Sequence, residues 1–161
     1  FGFHRLAEEA SADIRAAVAR YAAATGAHQA DAVPRANPPE NYPDLSGTYR
    51  LPPNVFDMVS FTIDFGPDGI HGNTFTRRFD DHAQRYSVGD PDTFARTRVD
   101  DYTIAFRGGW TPDGRYEIYY TGVGEAWWTR LELEFTGSRR IHVKVTSAGG
   151  YSGRLTGFRL P

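Results

Sequence analysis

Residues 115–146 alternate apolar and polar side chains through three consecutive runs. Tyr116, Ile118 and Tyr120 alternate with Glu117, Tyr119 and Thr121. Trp127, Thr129, Leu131, Leu133 and Phe135 alternate with Trp128, Arg130, Glu132 and Glu134. Past Thr136-Gly137-Ser138, Ile141, Val143 and Val145 alternate with Arg140, His142 and Lys144. A period of two with one apolar face is the pattern of strands in a sheet buried on one side. Slipping the register by one residue would drive Arg130 and Glu132 into the core, so the register is fixed. Leu131, Leu133, Val143 and Val145 are therefore expected to be buried, and Arg130, Glu132 and Lys144 exposed.

The same period recurs upstream. Gly47 to Leu51 reads as a short strand stopped by Pro52-Pro53, and Val59, Phe61, Ile63 and Phe65 alternate with Ser60, Thr62 and Asp64. Gly66-Pro67-Asp68-Gly69 and Thr111-Pro112-Asp113-Gly114 are turn signals. Residues 80–92 read as polar and turn-like around a possible short strand at Arg85-Tyr86-Ser87-Val88, and strands are expected over residues 93–99, from Tyr102 through Ile104 to Phe106, and over residues 154–160. Sequential hairpins without a long crossover suit a meander, and closure removes its edges. The expected fold is mainly β: a closed, antiparallel barrel of eight to nine strands over residues 47–161, a form that the calycin (lipocalin-like) resemblance given below also implies.

Ahead of it, residues 5–25 place Leu6, Ala10, Ile14, Ala17, Val18 and Tyr21 at helical spacing, with Gly26 suited to end the helix. Residues 1–26 are thus expected to be an α-helix, able to serve as a lid. Residues 27–46 carry Pro34, Pro38, Pro39 and Pro43 and no periodicity, which reads as a proline-rich tether. The first residue is Phe1, so a lost upstream piece, including a signal peptide, stays open.

Composition excludes some classes of function. A net charge of −2 gives no electrostatic case for nucleic acid or an anionic membrane. There is no cysteine, so disulfides, thiolate catalysis and cysteine-bound zinc are ruled out. Lys144 is the only lysine among 18 basic residues, a bias typical of a GC-rich bacterial genome. His71, His82 and His142 have no ligand spacing, and no nucleophile elbow is present.

Chemistry is expected inside the barrel. The strand near residues 70–79 puts Phe75 and Phe79 on its odd face, which would carry His71, Asn73 and Arg77 inward as well. Buried tyrosine hydroxyls and an inward guanidinium need partners, which a hydrocarbon core does not supply. The candidate catalytic residues are Arg77, His71, Tyr116 and Tyr120. The candidate substrate contacts are Phe61, Asn73, Phe75, Phe106, Trp127 and Thr129. Whether these aromatics line a cavity or simply fill it is left open by the sequence. Trp110 reads equally as a rim aromatic or as a residue folded over the barrel end.

Gly149-Gly150-Tyr151-Ser152-Gly153-Arg154-Leu155-Thr156-Gly157-Phe158 resembles the glycine-rich turn and final strand of allene-oxide-cyclase-like and dirigent-like barrels. That lipocalin-like group includes bacterial cyclases that form spirotetronates by [4+2] cycloaddition, some with an N-terminal helical segment closing over the barrel. Tyr42-Pro43-Asp44-Leu45-Ser46-Gly47-Thr48-Tyr49 is similar to the start of the lipocalin-like domain that follows the catalytic domain in some bacterial serine hydrolases. The first resemblance implies a cofactor-free cyclase that folds a hydrophobic polyene or polyketide. The second implies a non-catalytic ligand-binding or accessory barrel. Either would take a hydrophobic small molecule as its partner, not nucleic acid or membrane, with a homodimer compatible. A cytoplasmic location is expected, and secretion stays open.

Overall fold

A computed structural model describes residues 33–161. The helix expected over residues 5–25 and the first part of the tether lie outside the described residues. Ten strands follow one another: β1 (Gly47–Arg50), β2 (Ser60–Asp64), β3 (Asn73–Arg78), β4 (Ala83–Val88), β5 (Ala95–Val99), β6 (Tyr102–Trp110), β7 (Tyr116–Gly122), β8 (Trp128–Thr136), β9 (Arg140–Ser147) and β10 (Ser152–Arg159). They form one antiparallel sheet in the order β4-β3-β2-β1-β10-β9-β8-β7-β6-β5. The expected count of eight to nine is thus corrected to ten. The difference lies in Ala83–Val88, which forms a full strand although only Tyr86 and Val88 of it are buried.

Closure is also less complete than expected. β4 and β5 are the two edges of the sheet and do not pair with each other. Instead the chain just beyond β4 makes a parallel bridge from Gly89 to Arg107. Gly89 N–H donates to the Phe106 carbonyl at 3.1 Å, and Gly108 N–H donates to the Gly89 carbonyl at 2.9 Å. The result is a nearly closed barrel.

The register agrees with the period of two. Leu131 faces Ile118 and Val145, and Leu133 faces Tyr116 and Val143. All four of Leu131, Leu133, Val143 and Val145 are buried. Lys144 is exposed, but Arg130 and Glu132 are half-buried, not exposed. Ion pairs on the outer wall account for this. Glu132 lies between Lys144 at 2.7 Å and Arg115 at 3.3 Å, and Arg130 stands 3.9 Å from Glu117.

The last part of the tether is not a free spacer. Val33 and Leu45 are buried, Tyr42–Leu45 forms a 3-10 turn, and Ala36 N–H donates to the Trp110 carbonyl at 2.9 Å. Gly109 makes this approach feasible, since a Cβ there would sit 2.1 Å from the Pro34 carbonyl oxygen. Residues 33–46 therefore pack across one end of the barrel, called below the Trp110 end. The opposite end, where β3 finishes and β8 begins, is the Arg77 end.

Candidate functional site

The interior between the two ends is filled by aromatic rings. Phe61 stacks on Phe75 at 5.0 Å between centroids, Phe75 on Tyr86 at 6.3 Å, Tyr86 meets Phe106 at 4.5 Å, and Phe106 stacks on Tyr120 at 5.0 Å. Phe61, Phe75, Tyr86 and Phe106 are at most 1% exposed. Alternation puts them inward, and the hairpin register brings them together: Phe75 lies opposite Tyr86 and Phe106 opposite Tyr120.

At the Trp110 end the buried side chains of Asn73, Tyr116 and Trp110 each have a hydrogen-bond partner. Asn73 Nδ2 donates to the Tyr116 hydroxyl at 2.8 Å and to the Ile70 carbonyl at 3.2 Å, while its Oδ1 accepts from Gly66 N–H at 2.6 Å. Trp110 is buried, not on the rim, and its indole N–H donates to the Gly69 carbonyl at 2.8 Å. Burial pushes the Tyr116 phenol far above its ordinary pKa, only partly offset by Asn73. Asn73 and Tyr116 thus hold the β2–β3 turn on the barrel.

His71 is not inside. Gly72 takes φ 68°, a left-handed residue that breaks the alternation just before β3 starts at Asn73, and the His71 side chain is 64% exposed. This corrects the expectation that the odd face carries it inward. Its Nδ1 meets Asp68 Oδ2 at 2.5 Å, and its Nε2 lies 3.6 Å from Asp90. Hydrogen bonding and charge from Asp68 raise the imidazole pKa, with a smaller contribution from Asp90. The backbone N–H groups of Ile70 and His71 together with the imidazole hold the Asp68 carboxyl well below the usual range.

At the Arg77 end the balance is different. Arg77 points inward from β3 as expected, with Nη1 donating to the Tyr120 hydroxyl at 3.3 Å and Nη2 to the Tyr86 hydroxyl at 3.4 Å. Its guanidinium carbon lies 5.4 Å from the Phe79 ring centre, 5.5 Å from Tyr86 and 5.6 Å from Tyr120. Arg77 Nε is buried and has no partner, and no carboxylate among the described residues pairs with this guanidinium. Burial opposes the charge, but the tyrosine hydroxyls outweigh it and raise the pKa, so the group is cationic at any ordinary pH. The Tyr86 hydroxyl is itself donated to Gln84, whereas the Tyr120 proton has no acceptor among the described residues. Trp127, half-buried, meets Tyr120 edge-on at 6.2 Å, and Thr129 pairs with Tyr120 across β7 and β8.

The structure therefore splits the expected site. Arg77, Tyr120, Trp127 and Thr129 share one end; Asn73, Tyr116 and the exposed His71 belong to the other; Phe61, Phe75 and Phe106 pack between. Tyr86 and Phe79 are partners of Arg77 that the expected site does not include, although their alternation with Arg85 and Arg78 is visible in the sequence.

Other polar features of the described residues differ from this end. Arg107 also has a buried, unpartnered Nε, but it lies on the outer wall, 4.6 Å from the Phe94 ring centre and 5.7 Å from Tyr119. A pocket of about 390 Å³ on the outer wall includes Arg115 and Lys144, both already paired with Glu132. A pocket of about 260 Å³ beside His71 and Trp110 is bordered by the paired Arg35 and Asp92. No set of three or more metal-ligating side chains occurs among the described residues, and no helix there is long and apolar enough to cross a membrane. No protein-family model matches the sequence, and comparison with curated proteins gives no match.

Proposed function

We propose that this chain binds a mostly hydrophobic small molecule at the Arg77 end and holds it folded for an intramolecular cyclisation. Arg77 carries the reading: an inward guanidinium with an unused donor, ringed by aromatics and facing no acid. Arg77 and the Tyr120 hydroxyl supply N–H and O–H donors to a substrate carbonyl, and such donors stabilise negative charge that grows on the oxygen during reaction. Phe79 and Trp127 supply apolar contact. Bringing two ends of one chain together can contribute up to about 7–11 kcal/mol and needs no nucleophile or cofactor. The likeness of residues 149–158 to cyclase barrels supports a polyene or polyketide as the substrate class. On this reading Phe61, Phe75 and Phe106 form the floor beneath the substrate, while His71, Asn73 and Tyr116 take no part.

Turnover tests it. A linear triene with a terminal enone, incubated with the full chain and followed by chromatography and mass spectrometry, should cyclise faster than in buffer, and Arg77→Met should lose the acceleration. A rate equal to that in buffer contradicts the enzymatic reading. The filled interior favours one second reading, a non-catalytic binding barrel, because it leaves a ligand little enclosure. Binding of the triene without acceleration supports that alternative.

A further inference from the structure

We infer that the ligand of the Arg77 end is an anionic amphiphile, a single carboxylate or equally acidic oxygen on a hydrocarbon tail. This rests on the reading that the Arg77 end is a ligand site. The argument is one of charge. Taking a guanidinium out of water carries a large desolvation cost. Each cation–π contact returns only a small part of it. The two hydroxyl contacts, at 3.3 and 3.4 Å, are at the long limit for hydrogen bonds, and Nε has none. A guanidinium offers five N–H donors in a planar fork that suits two oxygens of one carboxylate. Here two of the five are engaged by described residues, both by neutral oxygens, so among the described residues the cation has no counter-charge and Nε has no acceptor.

The tail is argued from the loops at the same end. Val55 between β1 and β2, Val123 between β7 and β8, and Tyr151 between β9 and β10 are 78%, 48% and 49% exposed. Phe56 packs edge-on against Tyr151 at 5.5 Å. The described acids in these loops and in the β3–β4 turn form no ion pair with Arg77, and Asp81 is paired with His82.

Isothermal titration calorimetry of the full chain with octanoate and with octanamide tests this, since the two probes differ in charge and hardly in shape. Octanoate should bind at least about tenfold more tightly, as expected for a charge-assisted pair replacing a neutral one. Arg77→Met should abolish the preference, and Arg107→Met should keep it. Equal affinity of the two probes for the unaltered chain overturns the anionic class and leaves the ligand-site reading standing. Binding of neither probe overturns both. A preference that survives in Arg77→Met, or disappears in Arg107→Met, overturns the assignment to Arg77.

Discussion

The two ends of this barrel handle buried polarity in opposite ways. At the Trp110 end, Asn73 bonds Tyr116 and the β2–β3 turn, and the Trp110 indole bonds the same turn, with residues 33–46 packed over this end. At the Arg77 end a full charge meets, among the described residues, only neutral rings and two long hydroxyl contacts. A polar group with all its partners is there for the fold. One that lacks them weakens the fold, and that is the mark of a group kept for something else.

Removing groups from each end should therefore have different consequences. The largest loss is expected for Trp110→Ala, about 3–5 kcal/mol in chemical denaturation, because the indole is 1% exposed and packs on Phe65 and Tyr116. Asn73→Ala should cost about 2–3 kcal/mol, since it leaves the Gly66 amide and the Tyr116 hydroxyl buried without their partner. Arg77→Met should leave the denaturation midpoint unchanged or raise it, because an unpaired charge gives way to an apolar chain of similar reach. A loss of 2 kcal/mol or more in Arg77→Met, about the cost of Asn73→Ala, would erase the distinction between the ends.

The smallest effect concerns His71. Its raised pKa means the contact with Asp68 contributes fully below the unfolded value of about 6.5 and fades as pH rises through the folded value. The lowered pKa of Asp68 sets the other limit: its contribution is lost only as pH falls through that depressed value. Proton NMR titration of the His71 ring should give a midpoint above 6.5 that Asp68→Asn returns toward it. A midpoint unmoved by Asp68→Asn contradicts the pairing.

The strands were legible because alternation is a local property. Trp127 to Phe135 and Ile141 to Val145 needed nothing beyond period two, and Phe75 and Arg77 were correctly placed on one face. His71 was misplaced because alternation was extended through Gly72, and a glycine between two inward candidates was the available signal of a break. The docking of residues 33–46 was not legible. Val33, Ala36 and Leu45 are isolated apolar residues without a period, and their partners, such as Trp110, lie far along the chain. Nor could the sequence show that Arg77 has no counter-ion among the described residues, since that depends on which loops the nearly closed sheet gathers at one end.

The most direct test of the contrast between the ends is a nitrogen–proton NMR titration of the full chain with octanoate. Arg77 Nε–H and the Trp127 indole N–H should shift progressively and saturably, while the Trp110 indole and the Asn73 side-chain amide stay in place. Shifts centred on Trp110 and Asn73, or none at Arg77, would contradict the account.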